Sequence, residues 1–235
     1  MSSLNILSGG AAQGLVGSLS SAFKAQTGLD IAGDFGAVGA MAEKLRGGTT
    51  ADLVILTSTL VAKLAEEKLV VAASMADVGL VETALAVRTG DPRVTVSDAA
   101  GLRDALLASD AIFVPDTKAS TAGTHVANVL DRLGITDAVA ARLRIFPNGA
   151  TAMRELAASK VRRPIGCTQS TEIISTEGVT LSGSLPKGCE LATMYTAGIT
   201  ARAAHAVPAQ NLIDLLTGAG QHEQREHAGF IRGQN

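Results

Sequence analysis

Aromatic residues are scarce in this chain: 3% of 235 residues, with five Phe, one Tyr and no Trp. That argues against surfaces that stack bases or sugars. Charge of one sign is lacking too. The formal charge is -2 and no long basic run occurs, so nucleic acid is not an expected partner. No apolar run approaches the ~20 residues of a membrane span. Cysteine is reduced to Cys167, in an apolar strand-like run, and Cys189, in a loop after Pro186-Lys187-Gly188. Their spacing fits no zinc motif, and two buried free thiols are the simpler reading; no metal or cofactor is expected. A basic start, apolar run and cleavage site are missing as well. Met1-Ser2-Ser3, a native start or a cloning remnant, leads directly into the apolar Leu4-Asn5-Ile6-Leu7. As written the chain reads as cytoplasmic, and as periplasmic if a leader has been removed.

Ala, Val, Leu and Gly are abundant, and they are arranged as strands that run into small-residue turns opening helices. Four such turns stand out: Ser8-Gly9-Gly10-Ala11, Phe35-Gly36-Ala37-Val38-Gly39, Ser120-Thr121-Ala122-Gly123 and Asn148-Gly149-Ala150. Small residues there admit a ligand to the first free N–H groups of a helix, where the dipole is positive. Four together suggest a protein that wraps a small anion in backbone amides and hydroxyls.

Apolar periodicity gives β-α-β-α-β-α through residue 67, the pattern of a parallel sheet with crossover helices. Glu82–Arg88 reads as a further strand. A helix over 97–108 follows with Ser97 as its N-cap, then the strand Ala111–Val114 and a helix over 121–133. Helices at 138–143, 149–159, 170–176, 211–217 and 223–228 and strands at 144–146, 165–169, 179–185 and 191–197 complete the expectation. Two α/β blocks emerge. The first lobe is expected over 1–82 and 196–235, the second over 84–194, with hinge crossings near 83–87 and 191–196. A chain that crosses twice has a hinge and a cleft, and ligands sit beyond the carboxyl ends of such strands.

These segments resemble the periplasmic molybdate-binding proteins of the type 2 solute-binding fold. The resemblance runs through Leu4–Gly10, Phe23–Gly28, Phe35–Gly39 and Ala51–Ile55, then Ser120–Gly123, Leu130–Gly134 and Ile165-Gly166. It implies a two-lobed α/β fold, each lobe a mainly parallel sheet flanked by helices, with a ligand cleft between lobes. Where that family places hydroxyls, this chain has Gly10, Gly36-Ala37-Val38-Gly39 and Gln169, so molybdate is not the expected ligand. Leu7-Ser8-Gly9-Gly10, Ser120…Gly123 and Gly166…Gln169…Glu172 are also similar to aconitate isomerase, which implies a branched carboxylate and an allylic proton shift.

The expected ligand contacts are Ser8, Gly9, Gly10, Ala11, Gly36, Ala37, Val38, Thr57, Lys118, Ser120, Thr121, Ala122, Gly123, Asn148, Gly149 and Gln169. Backbone amides supply most of them, Ser8 and Ser120 hydroxyls and Lys118 a donor each. Thr57 and Ser120 have a simpler use as helix caps. The base is left open among His125, whose ordinary pKa suits proton transfer, Glu172 and Asp116. Their simpler readings are a packed helix histidine, an exposed carboxylate and a solvated loop. The favoured function is a monomeric isomerase of a small di- or tricarboxylate. The alternative is a binding protein that hands a small anion to a membrane transporter.

Overall fold

In the computed structural model, residues 3–231 are described; Met1 and Ser2 of the expected start, and 232–235 of the expected first lobe, lie outside the described residues. In chain order, β1 (Ser3–Gly9) passes through a 3-10 turn (Gly10–Ala12) into α1 (Gln13–Thr27). Then come β2 (Asp30–Gly36), α2 (Val38–Arg46), β3 (Leu53–Thr57), α3 (Ser58–Glu66) and β4 (Ala76–Arg88). They are followed by α4 (Ala99–Ala108), β5 (Ala111–Pro115), α5 (Thr121–Arg132), α6 (Thr136–Val139), β6 (Leu143–Phe146) and α7 (Gly149–Ala158). Last are β7 (Pro164–Gln169), α8 (Ser170–Ile174), β8 (Val179–Ser184), β9 (Ala192–Ile199), α9 (Ala206–Thr217) and α10 (His222–His227). The chain divides into two compact units, Met1–Val81 with Thr193–Asn235, and Glu82–Ala192.

The first unit carries strands in the order β2-β1-β3-β9, the first three parallel and β9 antiparallel to β3. Every residue of β3 is buried, as a continuous apolar run in a covered sheet requires. Leu15, Val16, Leu19 and Phe23 form the inward stripe of α1, and Gly28 at φ 73° ends that helix in the left-handed region. Residues after 193 complete this core. Buried Asp52 accepts the Asn5 and His205 backbone N–H groups, each at 2.9 Å. Leu80 and Ile231 exchange two backbone bonds, and Tyr195 meets Phe230 edge to face with ring centres 6.4 Å apart.

The second unit carries β8-β4-β7-β5-β6. β4 is antiparallel to β7 and β8, whereas β7, β5 and β6 are parallel. Alternation along a strand splits its core in two. Leu85, Ile112 and Val114 pack on one side with Val126, Val129 and Leu130 of α5. Ala84, Ala86 and Phe113 pack on the other with Met153 and Leu156 of α7.

Several expected boundaries are corrected. The N-cap of α4 is Asp98, whose carboxylate accepts from Gly101 N at 2.8 Å, rather than Ser97. The expected helix over 138–143 is α6 plus a 3-10 turn (Ala140–Arg142), with Leu143 already in β6. α9 begins at Ala206, ahead of the expected 211, because Pro208 sits in its first turn, where no N–H partner is lost. β4 begins at Ala76, six residues before Glu82. Among the described residues no helix is long and apolar enough to cross a membrane.

Candidate functional site

In the first unit, three adjacent parallel strands each end at a helix start. β1 ends at Gly9, β2 at Gly36 and β3 at Thr57. The caps that follow are Gly9, Ala37 and Thr57, all in extended backbone, and none offers a side-chain capping bond. The N–H groups opening these helices therefore have no side-chain acceptor of that kind, which leaves positive helix ends suited to an anion. Ser8 is fully buried, and its Oγ donates to Gly9 O at 2.9 Å. Gly10 and Ala11 are buried in the 3-10 turn, and Val38 is buried at the head of α2. Gly9 is demanded by packing: a Cβ there would lie 2.7 Å from Val38 Cγ1 and 2.9 Å from Tyr195 Cε1.

The turns of the second unit are filled from within. Ser120 caps α5, accepting weakly from Gly123 N at 3.4 Å. Gly123 and Ala122 are buried, and a Cβ on Gly123 would overlap the Pro115 and Asp116 carbonyl oxygens. Thr121 opens the helix half-buried, beside exposed Lys118 in the preceding loop. Asn148 caps α7, its Oδ1 accepting from Thr151 N at 2.8 Å. The next amides, Gly149 and Ala150, bond to the carboxylate of Glu172, which also takes the Gln169 amide and the Thr168 hydroxyl, the latter at 2.5 Å. The fourth turn thus holds a carboxyl group belonging to the protein itself, and Gly149 is glycine because a Cβ would overlap that group.

The three candidate bases differ. His125 Nε2 lies 2.8 Å from Cys189 O, and since a carbonyl only accepts, Nε2 carries a proton there. Asp116 Oδ1 accepts from Ala119 N at 2.8 Å and Lys118 N at 2.7 Å, and these amides hold its carboxyl below the usual range. Glu172, whose simpler reading is an exposed helix carboxylate and whose reading as a base requires desolvation, is buried. Burial pushes its pKa up, against the opposing pull of Thr168 and the Gln169, Ala150 and Gly149 amides.

At the carboxyl end of β7 lies a group of polar atoms without partners. Gln169 is 3% exposed, and among the described residues neither Nε2 nor Oε1 has a hydrogen-bond partner. Thr83, its direct partner across the β4–β7 pair, and Thr171 in α8 each bury an unpartnered hydroxyl. Sequence reasoning reached Gln169 and missed both threonines. The Thr83–Gln169 pairing joins residues 86 apart in sequence, and no local pattern signals it. Cavities of about 310 and 300 Å³, one in each unit, are lined by none of the expected contacts.

Two α/β units, parallel strands running into helix starts and a buried polar group at a strand end describe a small-solute binder. The sequence profile of the bacterial extracellular solute-binding proteins matches residues 4–231, and the chain belongs to that family. It is 25% identical to aconitate isomerase of Pseudomonas sp. over 98% of this chain and 88% of that protein. The periplasmic molybdate-binding protein of Azotobacter vinelandii superposes with a TM-score of 0.81 at 18% identity, covering 98% of this chain and 100% of that one. The sulfate-binding protein SubI of Mycobacterium tuberculosis H37Rv gives 0.76 at 17% identity, covering 98% and 86%. The fold is that of the periplasmic binding proteins, of the molybdate-binding type.

Proposed function

We propose that this chain binds a small di- or tricarboxylic acid and shifts a double bond in it by allylic proton transfer. The binding half is carried by the unpartnered, buried Gln169, Thr83 and Thr171 at the end of β7, since native interiors leave few such atoms unmet. Within the first unit by itself, the uncapped helix starts present amides of the kind that hold a carboxylate. The isomerase half is supported by the full-length similarity to aconitate isomerase. Under it Glu172 is assigned as the base. Burial raises the proton affinity of its carboxylate, which helps a base take up a proton, whereas the Ala119 and Lys118 amides lower that of Asp116. The proton leaves the methylene beside the double bond and returns at the far end of the three-carbon unit.

A second reading, delivery of the acid to a membrane transporter, needs the same groups and no base. It is favoured by the hydrogen bonds that occupy all three candidate bases. Proton NMR in D2O with cis- and trans-aconitate separates the two. Interconversion, or deuterium entering the allylic methylene above the protein-free control, is the expected result. Line broadening without exchange favours delivery, and the absence of both effects removes the carboxylate reading.

A further inference from the structure

The unpartnered group at β7 is specific about its complement. Thr83 and Gln169 are directly opposed in an antiparallel pair, so their side chains leave the sheet on one face, with Cβ atoms about 4.5–5.5 Å apart. Thr171 follows two residues later, as the second residue of α8. The amide is two-sided: Nε2 only donates and Oε1 only accepts. A bare oxyanion answers Nε2 and sets one acceptor against another at Oε1. Complementing both atoms takes an O–H beside an acceptor oxygen.

Protein groups nearby do not supply that O–H, since both amide atoms lack partners among the described residues. Glu172 of α8 is engaged by Thr168 and three amides. Glu82, next to Thr83, accepts from the Ser184 hydroxyl. His125 of α5 is bonded to Cys189 O, Arg154 of α7 donates to Thr151, and Glu155 is exposed. Cys167, two residues back on the same strand, is a buried thiol pushed up to about 12 by desolvation.

Resting on the carboxylate reading above, we propose that Gln169, with Thr83 and Thr171, selects the part of the acid that presents an O–H donor beside an acceptor oxygen. Two sources share that chemistry: a hydroxyl next to a carboxylate, or a carboxyl group that keeps its proton. A fully ionised oxyanion without either is disfavoured.

Calorimetric titration of the full chain with citrate and tricarballylate, which differ only in the central hydroxyl, tests this. It is run across the carboxyl pH range in two buffers of different protonation heat. A preference for citrate of about tenfold or more, lost in Gln169→Leu, supports the hydroxyl source. Near-equal binding with one proton taken up per acid, affinity falling as pH rises, and uptake lost in Gln169→Leu supports the protonated carboxyl. If Gln169→Leu does not fold, the isosteric Thr83→Val carries the same comparison. Binding of both acids without proton uptake, unchanged by the substitution, overturns the inference and leaves the carboxylate reading standing. Failure of both acids to bind at any pH overturns the two together.

Discussion

Gly149 and Glu172 depend on each other, because the carboxylate occupies the space that any side chain on Gly149 would need. Gly149→Ala is expected to lose about 3 kcal/mol in urea unfolding, through overpacking against a buried charge-bearing group. Gly17→Ala is the control. Gly17 lies inside α1, and a methyl group on it would meet nothing within 4 Å, so the same change there should gain about 1 kcal/mol. Glu172 also gives stability a pH dependence of known sign. Its folded pKa is raised above the ordinary 4.5, so the folded chain holds the proton longer than the unfolded chain does. The contribution is complete below 4.5 and is lost as pH climbs through the raised value. Glu172→Gln should therefore gain on the parent protein as pH rises, by at most about 1.4 kcal/mol per pH unit, in unfolding curves collected from acid to neutral pH.

Helix starts divide into two kinds. α4, α5 and α7 are closed by Asp98, Ser120 and Asn148, whereas the helices after β1, β2 and β3 have no side-chain cap bond. Asn148→Ala should thus cost about 1 kcal/mol of stability while leaving affinity for trans-aconitate unchanged, measured by unfolding and titration of one preparation. The strand–turn–helix order was legible because apolar periodicity and small-residue turns are local signals. Spacing alone places Leu15, Leu19, Ala22 and Phe23 on one face of α1; Leu15, Leu19 and Phe23 are buried there with Val16, and Ala22 is exposed. The occupancy of each turn was not legible. Ser8-Gly9-Gly10 and Asn148-Gly149-Ala150 look alike as sequence, yet only the second is filled, by a carboxylate 22 residues further on. One cue existed: Glu172 stands three residues after the cap Gln169, the spacing at which a glutamate reaches back to the cap amide. The start of α9 was not legible either: the expected helix opens at 211, whereas the observed one takes Pro208 into its first turn.

Across the molecule, each unit has its own apolar core, and the core of the first is assembled from both ends of the chain. Phe230 is fully enclosed there against Tyr195, so Phe230→Ala should lower the stability of that unit by about 4 kcal/mol, read by calorimetry. A bound acid acts on the whole protein by mass action, and trans-aconitate at about a hundred times its Kd should add about 2.7 kcal/mol to the unfolding free energy. The return of the last segment bears on how the protein is made. Glu82–Ala192 is one uninterrupted stretch, whereas the first unit waits for Thr193 onward to supply β9, α9 and Phe230. On the ribosome, β3 leaves the exit tunnel early with an open edge where β9 will pair, and an open apolar edge invites wrong partners. The second unit is therefore complete once Ala192 has been made, whereas the first keeps an open β3 edge until the residues from Thr193 onward supply β9.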